Sequence, residues 1–119
     1  EAVDDEFEVW GDGDASRSFI YVEDVAHGII ETAARHAVAE AINIGSDEET
    51  TIAELAQMIG ALVGRITGHS PIAVFRPDAP AGQPRRKCDT TKARRLLGFE
   101  ARTPLCKGLA RTIEWYLAE

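Results

Sequence analysis

Sulfur is scarce in this chain of 119 residues, which holds two cysteines, Cys88 and Cys106, and one methionine. The cysteines do not combine with His27, His36 and His69 into any recognisable zinc spacing, so no metal site is expected. No apolar run is long enough to cross a bilayer and no signal peptide is recognisable, so the expectation is a reducing cytoplasm. Aromatic residues make up 7% of the chain, and it has no internal repeat or low-complexity tract. Net positive charge is absent too. A formal charge of -7 argues against a general binder of nucleic acid or of membrane surfaces.

What is present is the composition of an ordinary globular domain, 45% hydrophobic and 28% charged, and the length suits one domain, residues 1–119. Charge is uneven along it. Glu1, Asp4, Asp5, Glu6, Glu8, Asp12 and Asp14 precede the first base, Arg17. Arg76, Arg85, Arg86, Lys87, Lys92, Arg94 and Arg95 crowd the later half, which reads either as a local anion site or as a solvated face.

Periodicity predicts interleaved strands and helices. Phe7–Trp10 alternates as a strand and ends at Gly11-Asp12-Gly13; Ser18–Val22 reads as a second strand. Val22, Val25, Ala26, Ile29, Ile30 and Ala33 then recur at helical spacing. Ala41–Gly45 reads as a short buried strand. Thr51 with Glu54 makes a capping box ahead of a helix whose face is Ile52, Leu55, Ala56, Ile59, Leu62 and Val63, with Gly64 as its stop. Pro71–Phe75 is a strand, the segment 76–83 is a proline-bearing loop, and Asp89 caps a helix from Thr90 to Leu97 closed by Gly98. Thr103 and Pro104 open a last helix lined by Leu105, Leu109, Ile113 and Tyr116. The fold class is mixed α/β (α+β), a small sheet covered by helices.

Three pieces in order resemble one family. They are Val9-Trp10-Gly11-Asp12-Gly13 continuing through Arg17-Ser18-Phe19-Ile20-Tyr21-Val22-Glu23-Asp24-Val25-Ala26; Asn43-Ile44-Gly45-Ser46; and Pro80 through Lys92-Ala93 to Leu96-Leu97-Gly98-Phe99. Together they are similar to the C-terminal, substrate-binding lobe of the extended short-chain dehydrogenase/reductases (NAD-dependent epimerase/dehydratases), in the branch of the GDP-L-fucose synthases. The resemblance spans nearly the whole chain. It implies a lobe that grips a nucleotide-diphosphate sugar while a separate Rossmann lobe binds NAD or NADP and does the chemistry.

By that resemblance Arg17 meets the substrate pyrophosphate and Arg86 approaches it from the later motif, with Arg85 beside it. A guanidinium offers phosphate a rigid fork of donors, so two of them suit a diphosphate. Otherwise Arg17 pairs with Glu23 or Asp24 and Arg86 is solvated, and either Arg85 or Arg86 could be the one pointing inward. Trp10 packs on the base or sugar, or belongs to the core. Asp24 caps or orients a loop, Asn43 is a structural amide and Asp89 a helix cap.

The departures from the family pattern matter as much. Gly11-Asp12-Gly13 lacks the third glycine and following helix of a dinucleotide fingerprint. The family's Tyr with a Lys four residues on is missing, since Tyr21 is followed at that spacing by Val25, and Tyr116 lies too near the end. No cofactor site and no catalytic residue is therefore expected here, and the chain alone should not turn over a sugar nucleotide. The other readings are a non-catalytic assembly or dimerisation module and, with least support, a small enzyme of unfamiliar chemistry.

Overall fold

The structure is a computed structural model that describes residues 6–119. The acidic positions Glu1, Asp4 and Asp5 lie outside the described residues. Nine elements follow in chain order: β1 Glu6–Trp10, β2 Ser16–Ser18, α1 Val22–Arg35, β3 Glu49–Thr51, α2 Ile52–Thr67, β4 Ile72–Arg76, β5 Arg85–Arg86, α3 Thr91–Leu97 and α4 Leu105–Ala118. The mixed α/β class holds, with the expected single sheet divided in two. β1 and β4 pair in parallel; β2 lies between antiparallel β3 and parallel β5.

α2 forms as expected. Thr51 Oγ1 accepts from the Glu54 amide at 3.1 Å and the Glu54 carboxylate accepts from the Thr51 amide at 2.9 Å. Its apolar face turns inward, with Ala56 and Leu62 buried. Gly64 is not its stop. The helix runs on to Thr67 and closes at Gly68, whose φ is 80°. Gly64 is needed for packing instead, because a Cβ there would fall 2.0 Å from the Ser70 hydroxyl as the chain turns back.

Three other expectations are corrected. The strand expected at Ser18–Val22 lies earlier, at Ser16–Ser18, because α1 already begins at Val22. Helix α4 starts at Leu105 rather than Pro104, and its first amide is capped from a distance by Glu48 Oε2 at 3.0 Å. Ala41–Gly45 joins no ladder among the described residues, although Ile42 and Ile44 do pack inward on Ala93, Leu97 and Phe99. Asp24, as expected, orients a loop, accepting from the Arg102 and Thr103 amides at 3.2 and 2.9 Å. Asn43 donates to the Asp89 carbonyl at 3.3 Å; the N-cap of α3 is Thr90 and not Asp89, which stands one residue earlier and accepts from the Thr91 amide at 3.0 Å.

The core is thin. Among the described residues no large side chain is fully buried. Helix α1 packs through Gly28, whose missing Cβ would sit 2.6 Å from Ile44 and 3.2 Å from Phe99. The apolar stripe that its sequence marks faces solvent instead, with Ile29 and Ile30 60% and 65% exposed. The radius of gyration, 17.0 Å, exceeds the roughly 13 Å of a compact domain this long.

Candidate functional site

The site begins at a turn that only glycine can make. Gly11 and Gly13 have φ of 93° and 87°, where an L side chain is strained. A Cβ on Gly11 would also fall 2.7 Å from the Ala81 Cβ, and one on Gly13 2.8 Å from the Phe75 ring. Asp12 closes the turn by accepting from the Asp14 amide at 2.9 Å. The chain then enters β2 with Arg17 at its centre.

This turn does not suit a dinucleotide. A phosphate cradle presents amides to its ligand, whereas here the Gly13 and Ala15 carbonyls accept from the Ala53 and Ile52 amides at 3.0 and 2.8 Å. These bonds and the capping box occupy the start of α2, leaving it no free amides for an anion. Tyr21, for its part, lies against Gly108 and carries Arg111 5.7 Å from its ring centre.

Strand register sorts the arginines. In β2, Arg17 is level with Thr50 of β3 and Arg86 of β5, and residues level on neighbouring strands share a face. Arg17 and Arg86 therefore stand side by side, one strand spacing of about 4.8 Å apart at the backbone. Arg85 is level with Ser16 and belongs to the opposite face. There its fork meets Glu49, Nε to Oε1 at 2.7 Å and Nη2 to Oε2 at 3.0 Å, while the Ser16 hydroxyl donates to the same Oε1 at 2.7 Å. Arg85 and Ser16 together hold the Glu49 carboxyl down at about 2.

The later basic run is thereby dispersed. Arg76 pairs with Glu8, Lys92 with Glu40, and Arg94 with Asp47 and Glu100. Arg17 and Arg86, like Lys87 and Arg95, have no carboxylate ion pair among the described residues. The pairing of Arg17 with Glu23 or Asp24 does not form, since Glu23 meets Arg111 and Asp24 holds the 102–103 loop. Arg17 is held by a bond from Nη1 to the Ser16 carbonyl at 2.7 Å, and Nη2 lies over Gly82, 3.6 Å from where a Cβ would stand. Arg86 Nε donates to Gln83 Oε1 at 3.3 Å.

Trp10 is 61% exposed and so is not a core residue. It lines a trough of about 390 Å³ together with Arg17, Phe7, Ile52, Leu55, Pro80 and Ala81. An aromatic wall and a guanidinium thus share one hollow; Arg86 is level with Arg17 on the neighbouring strand but is not among the residues that line it.

A family model described as GDP-mannose 4,6 dehydratase matches residues 2–112. The chain belongs to this family, within the extended short-chain dehydrogenase/reductases. The probable GDP-L-fucose synthase 1 of Oryza sativa subsp. japonica is 35% identical over 109 residues, 92% of this chain and 32% of that protein. UDP-glucuronic acid decarboxylase 1 of Danio rerio is 38% identical over 111 residues, covering 93% and 25%. The UDP-glucose 4-epimerase of Thermotoga maritima, solved with UDP-glucose, superposes with a TM-score of 0.79 at 30% identity, covering 95% of this chain and 35% of that one. The chain thus spans between a quarter and about a third of these relatives' lengths.

Sequence reasoning about this family member missed two side chains. Glu49 lay in the acidic stretch Asp47-Glu48-Glu49, where nothing separated it from its neighbours. Arg76 was read only as part of a basic run, whereas it sits level with Trp10 across the β1–β4 pair. Among the described residues, no group of three or more acidic, histidine or cysteine side chains could hold a metal, and no helix is long and apolar enough to cross a membrane.

Proposed function

We propose that this chain, as a single lobe over residues 1–119, binds the diphosphate of a nucleotide sugar for an NAD(P)-dependent epimerase, dehydratase or reductase. Arg17 and Arg86 take the phosphoryl oxygens, and Trp10 packs on the base or sugar. The observation that carries this is the level pairing of Arg17 with Arg86 on one face, free of carboxylates among the described residues. Like charges in adjacent register are unfavourable unless an anion lies between them. Arg85, bound to Glu49 on the far face, supports that arrangement instead of touching the ligand.

Hydride transfer then belongs to another lobe, of Rossmann type. Two apolar features favour such a partner: the outward stripe of α1 and a groove of about 550 Å³ lined by Phe19, Val22, Leu109 and Trp115. Exposed apolar surface of this kind marks an interface.

Calorimetric titration with GDP-mannose and UDP-glucose tests the reading. Binding that Arg17→Ala weakens by about tenfold or more supports it. No heat with either nucleotide, together with a tight dimer, supports the second reading, a non-catalytic assembly module; the uncovered α1 stripe is what favours that one.

A further inference from the structure

Strand β5 is two residues long, and holding it beside β2 sets Arg86 level with Arg17, so that two cationic residues share one face. The backbone helps little: beyond the short ladder, the Ser16 amide donates to the Pro84 carbonyl at 2.9 Å. Without a ligand, repulsion between Arg17 and Arg86 works to peel β5 away. Something on the other face must oppose it.

That face carries a clamp. Glu49 stands on β3 and Arg85 on β5, the two outer strands, and they reach each other across β2 at Ser16. The contact is a two-pronged, charge-assisted one, a strong and geometrically specific form of side-chain pairing. The Glu49 side chain is only 25% exposed, and its carboxyl stays ionised down to about pH 2.

We infer that Glu49 is a positioning residue for the phosphate site: by gripping Arg85 and Ser16 on one face of the three-stranded sheet, it holds Arg86 beside Arg17 on the other. This rests on the proposed reading of that pair as the diphosphate site. The anion site is pre-set before its ligand arrives, because the clamp opposes the repulsion that the empty site generates. Rigid pre-positioning of this kind raises affinity by lowering the ordering lost on binding.

The test uses the 119-residue chain, Glu49→Gln, and the double exchange Glu49→Arg with Arg85→Glu. Two measurements are made on each: hydrogen exchange of the 83–88 amides, and calorimetry with GDP-mannose and UDP-glucose. For Glu49→Gln we expect faster exchange confined to 83–88, with α2 and the β1–β4 pair protected as before, and about tenfold weaker nucleotide binding. The double exchange restores both, which a general loss of folding would not do. Unchanged exchange in Glu49→Gln, or unchanged affinity despite faster exchange, overturns the inference. A wild-type chain silent to both nucleotides overturns the diphosphate reading and with it the role given to Glu49 there, while the exchange result still decides whether the clamp exists.

Discussion

Replacing Arg17 by alanine removes one half of the proposed phosphate grip and leaves the other in place. Arg17 makes no ion pair among the described residues, and its one anchoring bond goes to the neighbouring Ser16 carbonyl. The folded chain should therefore lose little, and the ligand much. A hydrogen bond to a charged group contributes about 1.5–3 kcal/mol. With tenfold in affinity for every 1.4 kcal/mol or so, one lost phosphate contact weakens binding by roughly 10- to 150-fold. Arg17→Lys should fall between, because an ammonium keeps the charge but loses the planar fork. Calorimetry with GDP-mannose or UDP-glucose gives the affinities, and a thermal melt of each variant shows that the fold is kept. Raising the salt should weaken the wild-type interaction and narrow the gap to Arg17→Ala, since exposed charges are screened beyond about 8–10 Å near physiological ionic strength. Equal affinity of wild type and Arg17→Ala, with both folded, would refute the reasoning.

Four further outcomes are expected. Gly11→Ala should destabilise by about 1–2 kcal/mol from its left-handed backbone alone, with more from the 2.7 Å approach to Ala81; adding Ala81→Gly should recover only the second part in a denaturant melt. Thr51→Ala removes one arm of the α2 capping box and should cost about 1 kcal/mol, seen as a lower urea midpoint with an unchanged slope. Leu97→Ala opens the small core cluster it forms with Ala93 and Phe99, at about 2–5 kcal/mol, enough for circular dichroism to find much of the isolated chain unfolded. In acid, the Glu49 carboxyl, depressed to about 2 by Arg85 and Ser16, contributes stability that is complete above its ordinary value of 4.5 and is lost as pH falls toward 2. Glu49→Gln should flatten that part of the acid-unfolding curve; an identical curve would remove Glu49 from the account.

Local rules written in the chain determined much of this protein. The Thr51–Glu54 box set the start of α2, Gly98 closed α3 with a φ of 61°, and β1 and β4 lie within a residue of the strands read at Phe7–Trp10 and Pro71–Phe75. Each of these depends on neighbours a few residues apart, so spacing alone carries the information. The family resemblance pointed to Arg17 and to the pair Arg85 and Arg86, without choosing between those two.

Tertiary structure decided the rest. The stripe of α1 reads in sequence as a core face, but which way a helix turns depends on what packs against it, and here Gly28 goes inward. Ala41–Gly45 has the composition of a strand, yet a strand exists only with a partner, and none of the described residues supplies one. Gly64 reads as a stop and is a contact, since Ser70 returns to it from beyond the helix. Arg85 and Arg86 are indistinguishable neighbours along the chain. Pairing with β2 sends the first to Glu49 and sets the second beside Arg17, because side chains alternate across a sheet and register is a property of two strands rather than one.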